Sequence, residues 1–269
     1  MAERGDAKSA SWSVRPIRLV TYNIHKGLGG VDRRYRLDRI IEVLTHCRGD
    51  IMLLQEVDDG VPRSRHDRQV ELLAEALGID HFVYQPNVRL KRGQYGNAIL
   101  SRFPVEHPVH LELTIPLKKR RRALAVHARI PVDGRTRTLV VINAHLGLAG
   151  FERAVQMRRI LESPVVRRTR RQTPIVVGGD LNDVWATLGK RLLRPAGFQP
   201  TSWRIKTFPA AYPLRALDWL FLRGDIAHRH TFAARTRTAR QASDHLPLVS
   251  DLWIGRESST GGGPADDEP

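Results

Sequence analysis

A twelve-residue pattern occurs twice, and it constrains the fold more than any other feature of the chain. Positions 19–30 read LVTYNIHKGLGG and positions 139–150 read LVVINAHLGLAG, so that Leu, Val, Asn, His, Gly, Leu and Gly recur in step at an offset of 120 residues. Each copy opens as a continuous apolar run, as a strand buried on both faces does. Each closes in glycines that suit a loop. About thirty residues beyond each Asn, a further apolar run ends in an acid: MLLQEV with Glu56, and IVVGGD with Asp180. The simplest fold with this repeat is two similar sheet-plus-helix halves packed face to face, with their strand ends meeting at one edge. The period is far too long for a solenoid.

The rest of the chain fills in the layers. RLDRIIEVLTHC carries Leu37, Ile40, Ile41 and Leu44 at helical spacing. RQVELLAEALG reads as a helix closed by Gly78, a favoured residue just past a helix end. FERAVQMRRILESPVV reads as a helix that Pro164 ends or kinks. HFVYQP, NAILSR, VHLELTI, ALAVHARI, RTLVVINAHL, ALDWLFL and HLPLVSDLWI read as strands. Residues 1–15 and 255–269 are polar or Gly-rich and without periodicity, so they are expected to be disordered tails around a single domain at 16–254.

Composition narrows the class of partner. The formal charge is +16, from 44 basic and 28 acidic residues, with basic clusters KKRRR at 118–122 and RRTRR at 167–171. Such a balance favours polyanionic or phosphorylated partners, or is simply a solubilising surface. The single cysteine, Cys47, excludes an intramolecular disulfide. No run approaches the roughly 20 apolar residues of a membrane span, and the first fifteen residues hold no apolar stretch of signal-peptide type. The expectation is a soluble, cytoplasmic monomer.

Chemistry-bearing residues gather where strands end: Asn23, Glu56, His145, Asp180, Asn182, Asp218, Asp244 and His245. Carboxylates brought to one place repel one another unless a cation lies between them. Oxygen ligands of this kind favour magnesium or manganese over zinc, since there is no cysteine cluster and no HExxH helix.

TYNIHKG, LLQEV, YGNAILSR, NAHL, GGDLND, LDWLF and SDHLP occur in this order between positions 17 and 253. In this the chain resembles the endonuclease/exonuclease/phosphatase superfamily of metal-dependent phosphoester hydrolases. The resemblance implies an α/β fold, a four-layer sandwich of two mixed β-sheets packed face to face with helices outside. It implies Glu56 as the principal magnesium ligand, with Asn23 and Asp244 assisting at the metal. Asp180 then orients the attacking water, Asn182 bonds a phosphate oxygen, and Asp218 holds the catalytic His245. His145 resembles the N-x-H histidine of the deoxyribonuclease and sphingomyelinase branch, where, protonated, it binds phosphate or protonates the leaving oxygen. Arg122 resembles a phosphate-facing arginine, and Asn97 a pocket-lining residue. His25 is either pocket-lining or structural. One departure stands out: that branch holds its N-x-H histidine with a Glu near the AILSR strand, where this chain has Gln94 and Tyr95. The expected activity is a magnesium-dependent phosphodiesterase, with manganese as substitute. Nucleic acid is favoured slightly over phospholipid as substrate. A non-catalytic basic module binding nucleic acid or anionic membrane is the alternative.

Overall fold

How the apolar runs pair decides where their polar ends go. The computed structural model describes residues 16–132 and 134–255, so the expected tails lie outside the described residues apart from Gly255. One six-stranded sheet runs, edge to edge, through β11 (Ile226–Ala233), β12 (Leu248–Ile254), β1 (Ile17–Asn23), β2 (Ile51–Asp59), β4 (Gln94–Ser101) and β3 (His81–Arg89). The other runs through β5 (Val105–Glu112), β6 (Arg122–Val132), β7 (Arg135–His145), β8 (Ile175–Asp180), β10 (Asp218–Arg223) and β9 (Gln199–Pro200). The two halves repeat one pattern. β12, β1, β2 and β4 pair antiparallel, parallel, antiparallel, and so do β6, β7, β8 and β10. Both mixed sheets therefore carry a parallel pair at their centre, which needs a crossover connection. The helices of those crossovers lie on the outer faces.

Three apolar layers hold the sandwich together. Leu19, Leu53, Leu124, Val141, Val176 and Leu220 are buried between the sheets, each contributing about 1.5–3 kcal/mol. Ile40, Leu44 and Cys47 of α1 (Leu37–Cys47) and Leu73 of α2 (Gln69–Leu77) cover the outer face of the first sheet. Met157 and Ile160 of α3 (Gly150–Glu162) cover the second. Gly78 ends α2 as expected, in the left-handed region at φ 60°, its N–H returning to Ala74 and Glu75. Pro164 ends α3 by forcing Ser163 into extended backbone (ψ 150°), and a short turn, α4 (Pro164–Arg167), follows.

The structure differs from the sequence reading in three places. β5 starts at Val105, four residues earlier than expected, and passes Pro108 at a register shift on the sheet edge. β11 was not expected: it is an edge strand with His228, Arg229 and His230 exposed, so it lacks an apolar signal. The third concerns the repeat. Asn23 ends its strand, but Asn143 lies two residues inside β7 and is wholly buried.

Asn143 acts as a clamp between the sheets. Its Nδ2 donates to Leu54 O of β2 and Ala98 O of β4, both at 2.9 Å, and its Oδ1 accepts from Gln55 Nε2 at 2.8 Å. These bonds sit in a layer built mainly of apolar side chains, beside the bulge at Glu56. Replacing Asn143 by Ala strands buried polar groups and opens a cavity, so Asn143→Ala is expected to cost about 2–4 kcal/mol in denaturant unfolding.

Candidate active site

Local backbone irregularities aim the polar side chains. β2 bulges between Gln55 and Val57, leaving Glu56 unpaired with φ 56°. A bulge re-aims a side chain that would otherwise follow the strand alternation. Glu56 thus does not end its strand, as the sequence suggested. It leaves the ladder partway and enters a cleft at the sheet edge. His25, Lys26 and Asn182 also have positive φ, of 47°, 63° and 52°. Left-handed backbone at non-Gly residues costs on the order of 1 kcal/mol each and gathers at functional sites. Gly30 and Gly179 allow the close packing behind the cleft. A Cβ at Gly30 would lie 2.6 Å from Ser243 O, and one at Gly179 would lie 1.9 Å from Ala144 O.

The two halves meet in a short chain of polar contacts. Asn23 Nδ2 donates to Asp180 Oδ2 at 3.0 Å, linking the end of β1 to the end of β8. Asn23 Oδ1 accepts from the His25 backbone N–H at 3.0 Å, which fixes the amide. Asp180 Oδ2 lies 3.4 Å from His145 Nε2 and 3.7 Å from His245 Nε2. His245 Nδ1 meets Asp218 Oδ2 at 2.8 Å, and Thr207 Oγ1 donates to that same oxygen at 2.6 Å. Ser243 Oγ donates to Asn23 O at 2.7 Å, seating the SDH segment against β1. Asn182 is held by its N–H to Asp180 Oδ1 and by its Nδ2 to Leu146 O.

A cleft of about 670 Å³ opens over this chain. Asn23, Glu56, His145, Asp180, Asn182, Asp244 and His245 line it, as does His25, whose Nδ1 is 3.0 Å from Leu28 O and 3.8 Å from Asp244 Oδ1. Asp218 stands behind His245, buried. Two expected residues do not line the cleft. Arg122 turns away, its Nε donating to Glu112 Oε2 at 3.0 Å and its Nη1 to Pro86 O at 3.2 Å. Asn97 is buried and donates to Arg122 O at 3.0 Å, tying the sheets together. The cationic wall is instead Arg121, only 7% exposed, with Lys119 beside it. A one-residue shift in a strand reverses its face. The following run could not fix that phase, because Ala123 and Ala125 are buried on one face and Leu124 and Val126 on the other.

Lys26 was also missed by the sequence reading. Its Nζ forms an ion pair with Glu56 Oε2 and lies 5.8 Å from the Tyr95 ring centroid. A long side chain after a buried strand gives no sign of where its head goes. Tyr95, where a Glu is expected, is a platform for cations: Lys119 and Arg63 approach its ring at 5.2 and 5.3 Å.

Electrostatics sort the titratable groups. Burial would raise the Glu56 carboxyl, but His145 and the Lys26 ammonium override it and hold it at about 2. Burial, with Arg121 adding, pushes His145 well below the ordinary imidazole value, so it is neutral near pH 7 and the cation holding Glu56 there is Lys26. Burial also raises Asp180, to about 6, with Asp218 adding and His245 opposing. Burial disfavours a charged His245, yet Asp218 and Asp180 together raise it to about 10.

The oxygens of Glu56, Asp180 and Asp244, with the Asn23 amide, make an oxygen-rich donor set that fits a hard divalent cation. Ligand atoms of Asp180, Asp218 and His245 also lie within 4.8 Å of one another. There, however, Asp218 Oδ2 is already engaged by His245 and Thr207.

Comparison with known proteins bears on the family and the fold. The chain is 30% identical over 252 residues to the uncharacterized protein YbhP of Escherichia coli K12, covering 88% of this chain and 96% of that one. An endonuclease/exonuclease/phosphatase from Beutenbergia cavernae superposes with a TM-score of 0.73 at 26% identity, over 90% of this chain and 72% of the other. A mannosyl-6-phosphatase of Bacteroides thetaiotaomicron shares the fold, with a TM-score of 0.69 at 16% identity over 88% and 99% of the two chains. The family model for the Endonuclease/Exonuclease/phosphatase family matches residues 20–245. Carrying that match across both sheets and every strand end of the cleft, this chain belongs to the Endonuclease/Exonuclease/phosphatase family of metal-dependent phosphoester hydrolases.

Proposed function

We propose that the protein is a phosphodiesterase that uses magnesium, or manganese in its place. The observation that supports this best is the Asp218–His245–Asp180 chain opening into the same cleft as Glu56 and Arg121. Glu56, Asp244 and Asn23 would hold the ion, which supplies positive charge to the phosphoryl oxygens.

The protein's own groups divide the remaining work. Arg121 is a buried guanidinium facing the cleft. Burial lowers its pKa and the charges of Asp180 and Glu56 oppose that, so it remains a cation placed for phosphate. Asp180, raised toward neutrality, is a better proton acceptor than an ordinary carboxylate. It takes the proton of the attacking water as that oxygen bonds to phosphorus. The bond to the leaving oxygen breaks with its electron pair, and that oxygen then takes a proton from solvent water. His245 is an imidazolium anchored on Asp218. It steadies the charge on Asp180, 3.7 Å away. A neutral His145 offers a hydrogen bond to the phosphoryl group, and Arg121 and Lys119 replace it as the cation.

Asp180→Asn is expected to lower turnover of bis(p-nitrophenyl) phosphate in magnesium by about 10²–10⁴-fold with the fold retained; unchanged turnover would refute the assignment. Lys26→Met removes the cation that competes at Glu56. It is expected to tighten magnesium binding on the order of tenfold in calorimetry, whereas Glu56→Gln weakens it. The raised pKa of His245 also has a consequence for stability. The imidazolium stabilises the fold fully below the ordinary histidine pKa of about 6.5, and that contribution is lost as pH rises through about 10. In chelator, the melting temperature of the wild type should fall more steeply from about pH 7 to about pH 10 than that of His245→Gln.

A further inference from the structure

The rim of the cleft carries side chains that hydrolysis of a small soluble ester does not require. Leu117, Leu148, Phe151, Trp185, Tyr212 and Leu214 are each more than half exposed, and Leu117 is fully exposed at a turn with φ 63°. Among the described residues, every other large apolar side chain exposed to that degree is either Val31 or Trp203. The topology puts the segments bearing the six at one edge, with Phe151 in the first turn of α3 just beyond the 146–149 loop. The 113–121 loop joins β5 to β6 where Glu112 pairs Arg122. The 146–149 loop leaves β7 beyond His145, itself paired with Asp180. The 181–188 segment leaves β8 at Asp180, and the 208–217 segment enters β10 at Asp218, again opposite Asp180. Leu148 and Trp185 border the cleft itself, as do Lys119 and Arg215 from these loops and Arg153 from α3.

Apolar tips and basic heads are interleaved. Lys118 Nζ stands 5.5 Å over the Phe151 ring, and Arg153 Nη1 donates to Leu148 O. Lys118, Lys119, Arg120 and Arg215 are all exposed. An aqueous surface gains nothing by concentrating leucine, phenylalanine and tryptophan at loop tips. A bilayer interface does: it takes aliphatic tips into the acyl boundary, holds Trp and Tyr at headgroup depth and attracts lysine and arginine to anionic lipid. Single-stranded nucleic acid would use the basic groups too, but it is held by stacking on π-faces. The two most exposed of the six, Leu117 and Leu148, have none. No described helix is long and apolar enough to cross a membrane.

We propose that this rim is a docking surface for an anionic lipid bilayer and that the cleft receives the phosphodiester of a membrane lipid headgroup. The proposal rests on the phosphodiesterase reading for its substrate but not for its surface. It reverses the slight preference for nucleic acid that charge alone suggested.

The test uses the full chain and the triple variant Leu117→Ser/Phe151→Ser/Leu214→Ser, whose positions are exposed and outside the catalytic groups. Sedimentation with phosphatidylcholine vesicles containing about 30% phosphatidylglycerol, at about 0.15 M salt, should carry down the wild type. Pure phosphatidylcholine should retain much less. The triple variant should lose on the order of tenfold in vesicle affinity and in vesicle-lipid hydrolysis, while turnover of bis(p-nitrophenyl) phosphate stays unchanged. Equal vesicle binding by variant and wild type would overturn the proposal. So would a wild type that ignores vesicles but shifts a single-stranded oligonucleotide. If vesicle binding behaves as expected while neither soluble nor lipid phosphodiester is cleaved in magnesium or manganese, the docking surface stands and the phosphodiesterase reading falls.

Discussion

Everything in the cleft depends on two sheets from distant parts of the chain being held in one register at one edge. The hydrogen bond from Asn23 to Asp180 is the visible sign of that register, since it joins the last residue of a strand in each sheet. Behind it, Asn143 bonds backbone carbonyls of β2 and β4 and the Gln55 amide, within a layer built mainly of apolar side chains. A buried amide in such a layer tolerates little sliding, because any shift leaves its donors and acceptor unpaired. Apolar packing makes the sandwich stable, and this polar clamp sets where one sheet lies on the other.

The repeat is kept in the backbone and diverges in its chemistry. In the first half the strand-end region supplies Asn23, Lys26 and, through the bulge, Glu56, to which the proposed function gives the metal. In the second it supplies His145, Asp180 and Asn182, to which it gives water and phosphate. The repeated Asn makes the point: Asn23 faces the cleft, whereas Asn143 is wholly buried and ties the sheets. Equal positions in the two copies therefore do not imply equal roles.

Much of this was legible in the sequence, and the failures have physical causes. Continuous apolar runs such as LVTYN and IVVGG fixed the central strands, and the polar residues at their ends marked the cleft. Edge strands were poorly read because their signal is weak: β11 is exposed along His228–His230 and β5 contains Pro108. The resemblance singles out Arg122, and because β6 is apolar on both faces no alternation marks Arg121 as the residue that lines the cleft. Lys26 and the exposed rim escaped because loop side chains take their direction from tertiary structure. The protonation of His245 and His145 also lay beyond the sequence, since it depends on burial and on charges brought from four separate segments.

The contact between Lys26 and Glu56 bears on how the protein is assembled. An acidic cluster left alone in a buried site opposes its own folding, and many small metalloproteins remain unstructured until an ion arrives. Here the chain brings a tethered ammonium to the carboxylate that needs neutralising. If Glu56 holds the ion as proposed, ion capture would exchange one positive charge for another at a carboxylate already neutralised by the chain itself. Readiness of such a site would follow local ion supply rather than a second folding event.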